Sequence, residues 1–169
     1  VGRPGGGWAR RSARYFKGMA MTTSDAASSG YRLMHVMVRV GDLERSIDFY
    51  RRHFGMKVLR REDVPEGKYT NVFVGYGSEF TDPIIELTYN YGVESYERGT
   101  GFGHLAIGVH DIKGVCERLR ADGVKIVREP GPVKFGTLHI AFVDDPDGYR
   151  IELIDVDTGA YGEARRSRQ

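Results

Sequence analysis

The sequence predicts an α+β fold built from two tandem βαβββ modules. Three observations predict it. Short β-rich apolar runs are interspersed with two amphipathic stretches. The order strand, helix, strand, strand, strand occurs twice within 169 residues. The two copies carry the same residue types at matched spacing, a repeat of about 65 residues.

The first module opens on Leu33–Val40, LMHVMVRV, a β-branched apolar strand. Gly41-Asp42 breaks it, and Asp42 suits a helix N-cap. Leu43, Ile47, Tyr50 and Phe54 form a helical stripe, which Gly55 ends. Strands follow at Lys57–Arg61, Tyr69–Tyr76 and Ile84–Tyr89, with Asp82-Pro83 as punctuation before the last. The second module repeats the order. Gly103–Val109 is its first strand, and Asp111 takes the cap position. Ile112, Val115 and Leu119 give its helical stripe, and Gly123 stops it. Strands follow at Val124–Arg128, Leu138–Val143 and Tyr149–Asp155, the last two joined through the turn Asp145-Pro146-Asp147-Gly148. The predicted domain spans 31–157, with modules at 31–91 and 102–157. Residues 1–30, rich in Gly, Ser, Thr and Ala, read as a flexible extension, and 158–169 as a flexible tail.

Charge narrows the function classes. The net charge is +2, but it is unevenly spread. Residues 1–24 hold five cations and no acid, and the last ten residues hold three arginines against Glu163. Between them, 17 basic groups face 22 acidic ones. An acidic core disfavours nucleic-acid binding. No apolar run is long enough to span a membrane. The single cysteine, Cys116, excludes an internal disulfide framework and a cysteine-cluster zinc site, and reads as a small buried filler. A cytoplasmic location follows, with organellar targeting by the arginine-bearing 1–30 as the second reading.

The repeat carries the chemistry. His35 precedes Asp42 by seven residues, as His104 precedes Asp111. Glu86 follows His35 by 51, and Glu152 follows His104 by 48. Alone, a strand histidine is usually a packing residue, and a strand glutamate can lie at an edge. Recurring together in both halves, they read as a donor set that converges if the halves pack with pseudo-two-fold symmetry. Two imidazole nitrogens and two carboxylates suit a divalent nickel, zinc, cobalt or iron ion. His53, His110 and His139 have no such repeat partner and read as surface or packing residues, with His139 a minor candidate. Arg39, four residues after His35, shares its strand face, and a carboxylate is its natural partner. An ion pair would be the structural alternative for Arg39; Asn90, four residues after Glu86, could bond a peptide, with a turn role as its alternative.

The segments LMHVMVRVGDLERSIDFY (33–50), FVGYG (73–77), IELTYNYGV (85–93), GHLAIGV (103–109) and AFVDDPDGYRIELI (141–154) resemble the glyoxalase I enzymes of the vicinal oxygen chelate superfamily. The short loops between the halves look like the nickel-preferring bacterial type, with cobalt or zinc as other metals. The resemblance implies a metal held by His35, Glu86, His104 and Glu152. It implies a homodimer with active sites at the subunit interface, each drawing ligands from both chains. It implies isomerisation of the methylglyoxal–glutathione hemithioacetal to S-D-lactoylglutathione through a metal-bound enediolate. Glu152 is then the favoured base, with Glu86 its counterpart on the opposite side. Arg39 and Asn90 match substrate-binding positions, and Arg128 and Lys134, around the Gly131-Pro132 loop, are further candidates. Some family members carry an arginine four residues before the second histidine. Thr100 stands there in this chain, with Arg98 nearby, and Arg128 is a substitute. Phe102 is a candidate wall for the methyl group, or a packing residue. An acyl-CoA epimerase or a thiol transferase of the same superfamily is the alternative function. An extradiol dioxygenase would need only two histidines and one carboxylate, and a non-catalytic binding protein would not need both glutamates.

Overall fold

The computed structural model describes residues 31–167. The chain divides between Leu33 and Met34, and every element lies in the second part. The expected extension, residues 1–30, lies outside the described residues, as do 168–169.

The first module contains β1 (His35–Arg39), α1 (Leu43–Phe54), β2 (Lys57–Val64), β3 (Tyr69–Gly75) and β4 (Ile84–Asn90). The second contains β5 (Leu105–Val109), α2 (Ile112–Ala121), β6 (Ile126–Pro132), β7 (His139–Asp144) and β8 (Arg150–Asp155), followed by α3 (Gly159–Arg166). Each module forms a four-stranded sheet, ordered β1-β4-β3-β2 and β5-β8-β7-β6. In each, the first and last strands pair in parallel and the others antiparallel. This is the α+β arrangement of tandem βαβββ units that the repeat predicts.

Local chemistry sets the boundaries. The Asp42 side chain accepts from Arg45 N at 3.0 Å, capping α1. Gly55 ends α1 at φ 68°, a conformation glycine adopts without strain. Asp111 caps α2 by accepting from Gly114 N at 3.2 Å. β2 and β6 run further than expected: β2 stays paired with β3 as far as Val64 and Tyr69, and β6 continues through a register shift at Arg128/Gly131. The tail differs more. Residues 159–166 are helical where a flexible tail was expected. Two glycines hid that helix from propensity arguments. Arg165 ties it down, donating to Asp157 Oδ1 at 2.7 Å.

Alternation divides each sheet into a covered and a bare face. Val38 and Val40 turn inward while Met37 and Arg39 are exposed. Ile107 turns inward while Ala106 and Gly108 are exposed. The inward residues join α1 and α2 in one continuous apolar cluster that includes Tyr50, Leu87, Leu119, Ile151 and Leu153. Each fully buried aliphatic contributes about 1.5–3 kcal/mol, so this cluster, not the surface ion pairs, holds the fold.

The turn before β8 reaches across to the first module. Asp147 accepts from Gly41 N and Ser46 Oγ, both at 2.8 Å. Asp145 accepts from Tyr50 Oη at 2.9 Å and from Tyr149 N at 2.7 Å. Tyr149 Oη accepts from Arg39 N at 3.2 Å and donates to Arg39 O at 3.0 Å. Phe102 packs edge-on against Tyr149, with ring centroids 5.4 Å apart. Asp145 is only 5% exposed. Burial, outweighing its hydrogen bonds, pushes its carboxyl up to about 6.

A pH dependence follows. Folded Asp145 keeps its proton up to about pH 6, whereas the unfolded residue loses it near pH 4. Its contribution to stability is therefore largest in acid and declines as pH rises from about 4 through 6. Asp145→Asn removes the ionisation. Denaturant titrations between pH 4.5 and 7.5 should show the variant gaining on the parent protein as pH rises, by about 2 kcal/mol. A gap that moves the other way would contradict the buried-acid account.

Candidate metal and substrate site

Parallel pairing builds the same local geometry twice. Met37 lies opposite Glu86, and Ala106 opposite Glu152. His35 stands two residues before Met37 and shares the face of Glu86. His104 stands two before Ala106, just ahead of β5, and shares the face of Glu152. The Nε2 of His35 is 2.9 Å from Oε2 of Glu86, and that of His104 is 3.0 Å from Oε2 of Glu152. The exposures match as well: 43% and 13% for the first pair, 42% and 16% for the second. Each pair thus has a largely covered carboxylate behind a half-open imidazole on the bare face.

A phenylalanine backs each pair. Phe73 lies opposite Glu86 on β3, and Phe142 opposite Glu152 on β7. Their rings meet His35 and His104 edge-on, at 5.8 and 5.5 Å between centroids. An arginine follows on the next strand: Arg60 opposite Phe73 and Arg128 opposite Phe142. The Arg60 guanidinium stacks over Phe73 at 3.7 Å from the ring centre and pairs with Glu62 and Glu79. Arg128 Nη2 donates to Pro132 O at 2.8 Å, while its Nη1 is buried with no hydrogen-bond partner. The Arg60 counterpart of Arg128 was not singled out from sequence. Its signal, an arginine two strands from each glutamate, becomes visible only once the strands are in register.

The modules differ around this shared core. Beside Glu86, the bare face carries Arg39, Asn71, Thr88 and Asn90. Thr88 Oγ1 lies 3.4 Å from Glu86 Oε1. At the corresponding positions beside Glu152 stand Gly108, Ile140 and Ile154. Polar side chains therefore gather on the bare face of the first module. The Asn90 Nδ2 donates to Tyr96 Oη at 2.8 Å. Lys134 lies in the β6–β7 loop over the Phe135 ring, 5.2 Å from its centre. Arg98 is engaged by the Asp147 backbone carbonyl.

Within one chain the four candidate donors stand as two separate pairs. Among the described residues, no group of three or more His, Cys, Asp or Glu side chains gathers as a metal site. Each histidine pairs with the glutamate of its own sheet, on that sheet's bare face. A cavity of about 760 Å³ lined by Asp42, Glu44, Arg61 and Tyr91 includes none of the donors. The remaining histidines serve structure or surface. His53 packs edge-on against Phe49, 5.1 Å between ring centroids, and His110 pairs with Asp157 at 2.8 Å. His139 begins β7. Burial pushes the Cys116 thiol up, against any role as a nucleophile. No helix among the described residues is long and apolar enough to cross a membrane.

Tandem βαβββ modules, each a four-stranded sheet with one covered and one bare face, define the architecture of the vicinal oxygen chelate class. The chain belongs to the Glyoxalase/Bleomycin resistance protein/Dioxygenase superfamily, whose family model matches residues 32–153. It is 56% identical over 122 residues to a probable lactoylglutathione lyase of Synechocystis, covering 72% of this chain and 93% of that protein. Among solved structures, glyoxalase I from Zea mays matches with 56% identity and a TM-score of 0.70. That match covers 73% of this chain but 44% of the maize chain, so this chain spans under half its length. The trypanothione-dependent glyoxalase I of Leishmania major matches with 48% identity and a TM-score of 0.71, covering 82% of this chain and 94% of that one.

Proposed function

We propose that the chain is a lactoylglutathione lyase that isomerises the hemithioacetal of methylglyoxal and glutathione to S-D-lactoylglutathione. The observation that carries this is the duplicated His–Glu pair, His35 with Glu86 and His104 with Glu152, each on a bare sheet face. The names of the relatives, at about 55% identity over nearly the whole Synechocystis protein, point the same way.

Two imidazole nitrogens and two carboxylates fit a divalent transition ion, and nickel is the proposed occupant. Since each chain exposes two half-sets, we assign the complete set to a homodimer, with one pair from each subunit. The bound ion supplies Lewis-acid stabilisation of negative charge on adjacent substrate oxygens. The protein's residues do the rest. A carboxylate, for which Glu152 is the choice, removes the proton from C1 and returns it to C2. The hydroxyl proton moves from the C1 oxygen to the C2 oxygen, so the product is an isomer. Nothing like Thr88 stands beside Glu152, which leaves that carboxylate freer to swing than Glu86. Phe73 and Phe142 wall the donors and limit water at the reacting carbons. Arg39 takes a glutathione carboxylate in a bidentate pair, and Asn90 bonds the peptide. Arg128, with an unused buried N–H, and Lys134 take part from the second module.

The test is the ultraviolet thioester assay with methylglyoxal and glutathione after chelation and readdition of single metals. Chelation should abolish activity and nickel or cobalt should restore it. Absence of thioester with every metal would reject the lyase and favour an acyl-CoA epimerase or a thiol transferase. Glu152→Gln should lower kcat by about 10²–10⁴-fold while circular dichroism stays unchanged. The shared site has its own test. His35→Ala and His104→Ala chains should each be inactive alone. Unfolded and refolded together, they should regain about one quarter of parental activity, because half the dimers are mixed and each mixed dimer has one intact site. No recovery would reject the shared site.

A further inference from the structure

Residues 91–104 join the modules without helix or strand. Every residue in this linker is exposed except Tyr96, which is half-buried. Its burial has two causes on the bare face of the first module. The Arg39 guanidinium lies 6.0 Å from the centre of its ring. Its hydroxyl accepts from Asn90 Nδ2 at 2.8 Å. Arg39 ends β1 and Asn90 ends β4, on neighbouring strands of one face. A single tyrosine thus contacts both side chains assigned to the substrate peptide. The linker is fixed on either side of it. A side chain at Gly41 would overlap the Glu94 backbone, and Arg98 binds the Asp147 carbonyl.

We propose that Tyr96 is a positioning residue for substrate binding, holding Arg39 and Asn90 in their binding geometry before the thiol peptide arrives. This rests on the lyase reading above. A free arginine has many rotamers, and ordering it on binding costs affinity. Resting against the Tyr96 ring removes part of that cost beforehand. The hydroxyl fixes the Asn90 amide, committing Nδ2 inward and presenting Oδ1 to the ligand. Neither contact touches the reacting carbons. Loss of Tyr96 therefore weakens substrate and transition state equally, which raises KM and spares kcat.

The experiment uses the full-length, nickel-loaded protein and the variants Tyr96→Phe, Tyr96→Leu and Asn90→Ala. Steady-state kinetics are paired with calorimetric titration of S-hexylglutathione, an unreactive probe. Tyr96→Phe should raise KM and the probe Kd together by roughly three- to tenfold, the weight of one hydrogen bond, with kcat within about twofold. Tyr96→Leu should raise both further by removing the ring from Arg39 as well. In an Asn90→Ala background, Tyr96→Phe should add almost nothing, because the shared contact is already gone. A parental KM and Kd in Tyr96→Phe would overturn the proposal, as would additive effects in the double variant or a fall in kcat alone. Tyr96→Phe keeps the ring, so it decides the matter even where Tyr96→Leu fails to fold. The outcomes also separate the two readings. An inactive parent that ignores the probe would take down the lyase assignment and Tyr96 with it. An active parent with an indifferent Tyr96→Phe would take down Tyr96 alone.

Discussion

The parallel pairing of the first and last strand in each module is the constraint on which the site depends. Parallel neighbours cannot be joined by a tight turn, so a crossover is obligatory, and α1 and α2 provide part of it. The helices cover one face of each sheet and leave the other bare. The register then fixes the donors: each histidine stands two residues before the position facing its glutamate, in both modules. A slip of one residue would send the glutamate to the apolar side, where Leu87 and Leu153 now pack. Core and site are therefore specified by one choice of register.

That register is held partly from outside its own sheet. The turn preceding β8 caps the first module through Asp147 and grips the end of β1 through Tyr149. These bonds join residues more than a hundred positions apart. The backbone of Arg39 is thus fixed by the second module, while its side chain rests on the linker. The apolar cluster runs through both modules, so the halves share one interior despite their separate sheets.

The repeat made much of this legible. His35 and His104, the caps Asp42 and Asp111, and the stop at Gly55 all follow from local patterns, and the structure places them as the spacing predicts. What the sequence left hidden depends on contacts without local period. Tyr96 lies in an aperiodic linker, so nothing in its surroundings marks it. Arg60 is recognisable as the partner of Arg128 only after two strands of register are known. The helix at Gly159–Arg166 was concealed by its glycines and is held by a tertiary pairing of Arg165 with Asp157. Where the four donors meet is a different kind of question. Symmetry in sequence establishes that two half-sets are equivalent, and it says nothing about whether they face each other.

Gly41 carries a consequence for how freely this scaffold can be remodelled. Its missing side chain lets the linker backbone at Glu94 lie directly against the β1–α1 junction, and its N–H is taken by Asp147. The linker looks like a dispensable strip of surface, since nearly all its side chains face water. At Gly41 it nevertheless lies too close for any Cβ, which would stand 1.8 Å from the Glu94 carbonyl oxygen. A linker transplanted from another member of the superfamily would therefore have to bring a matching junction with it.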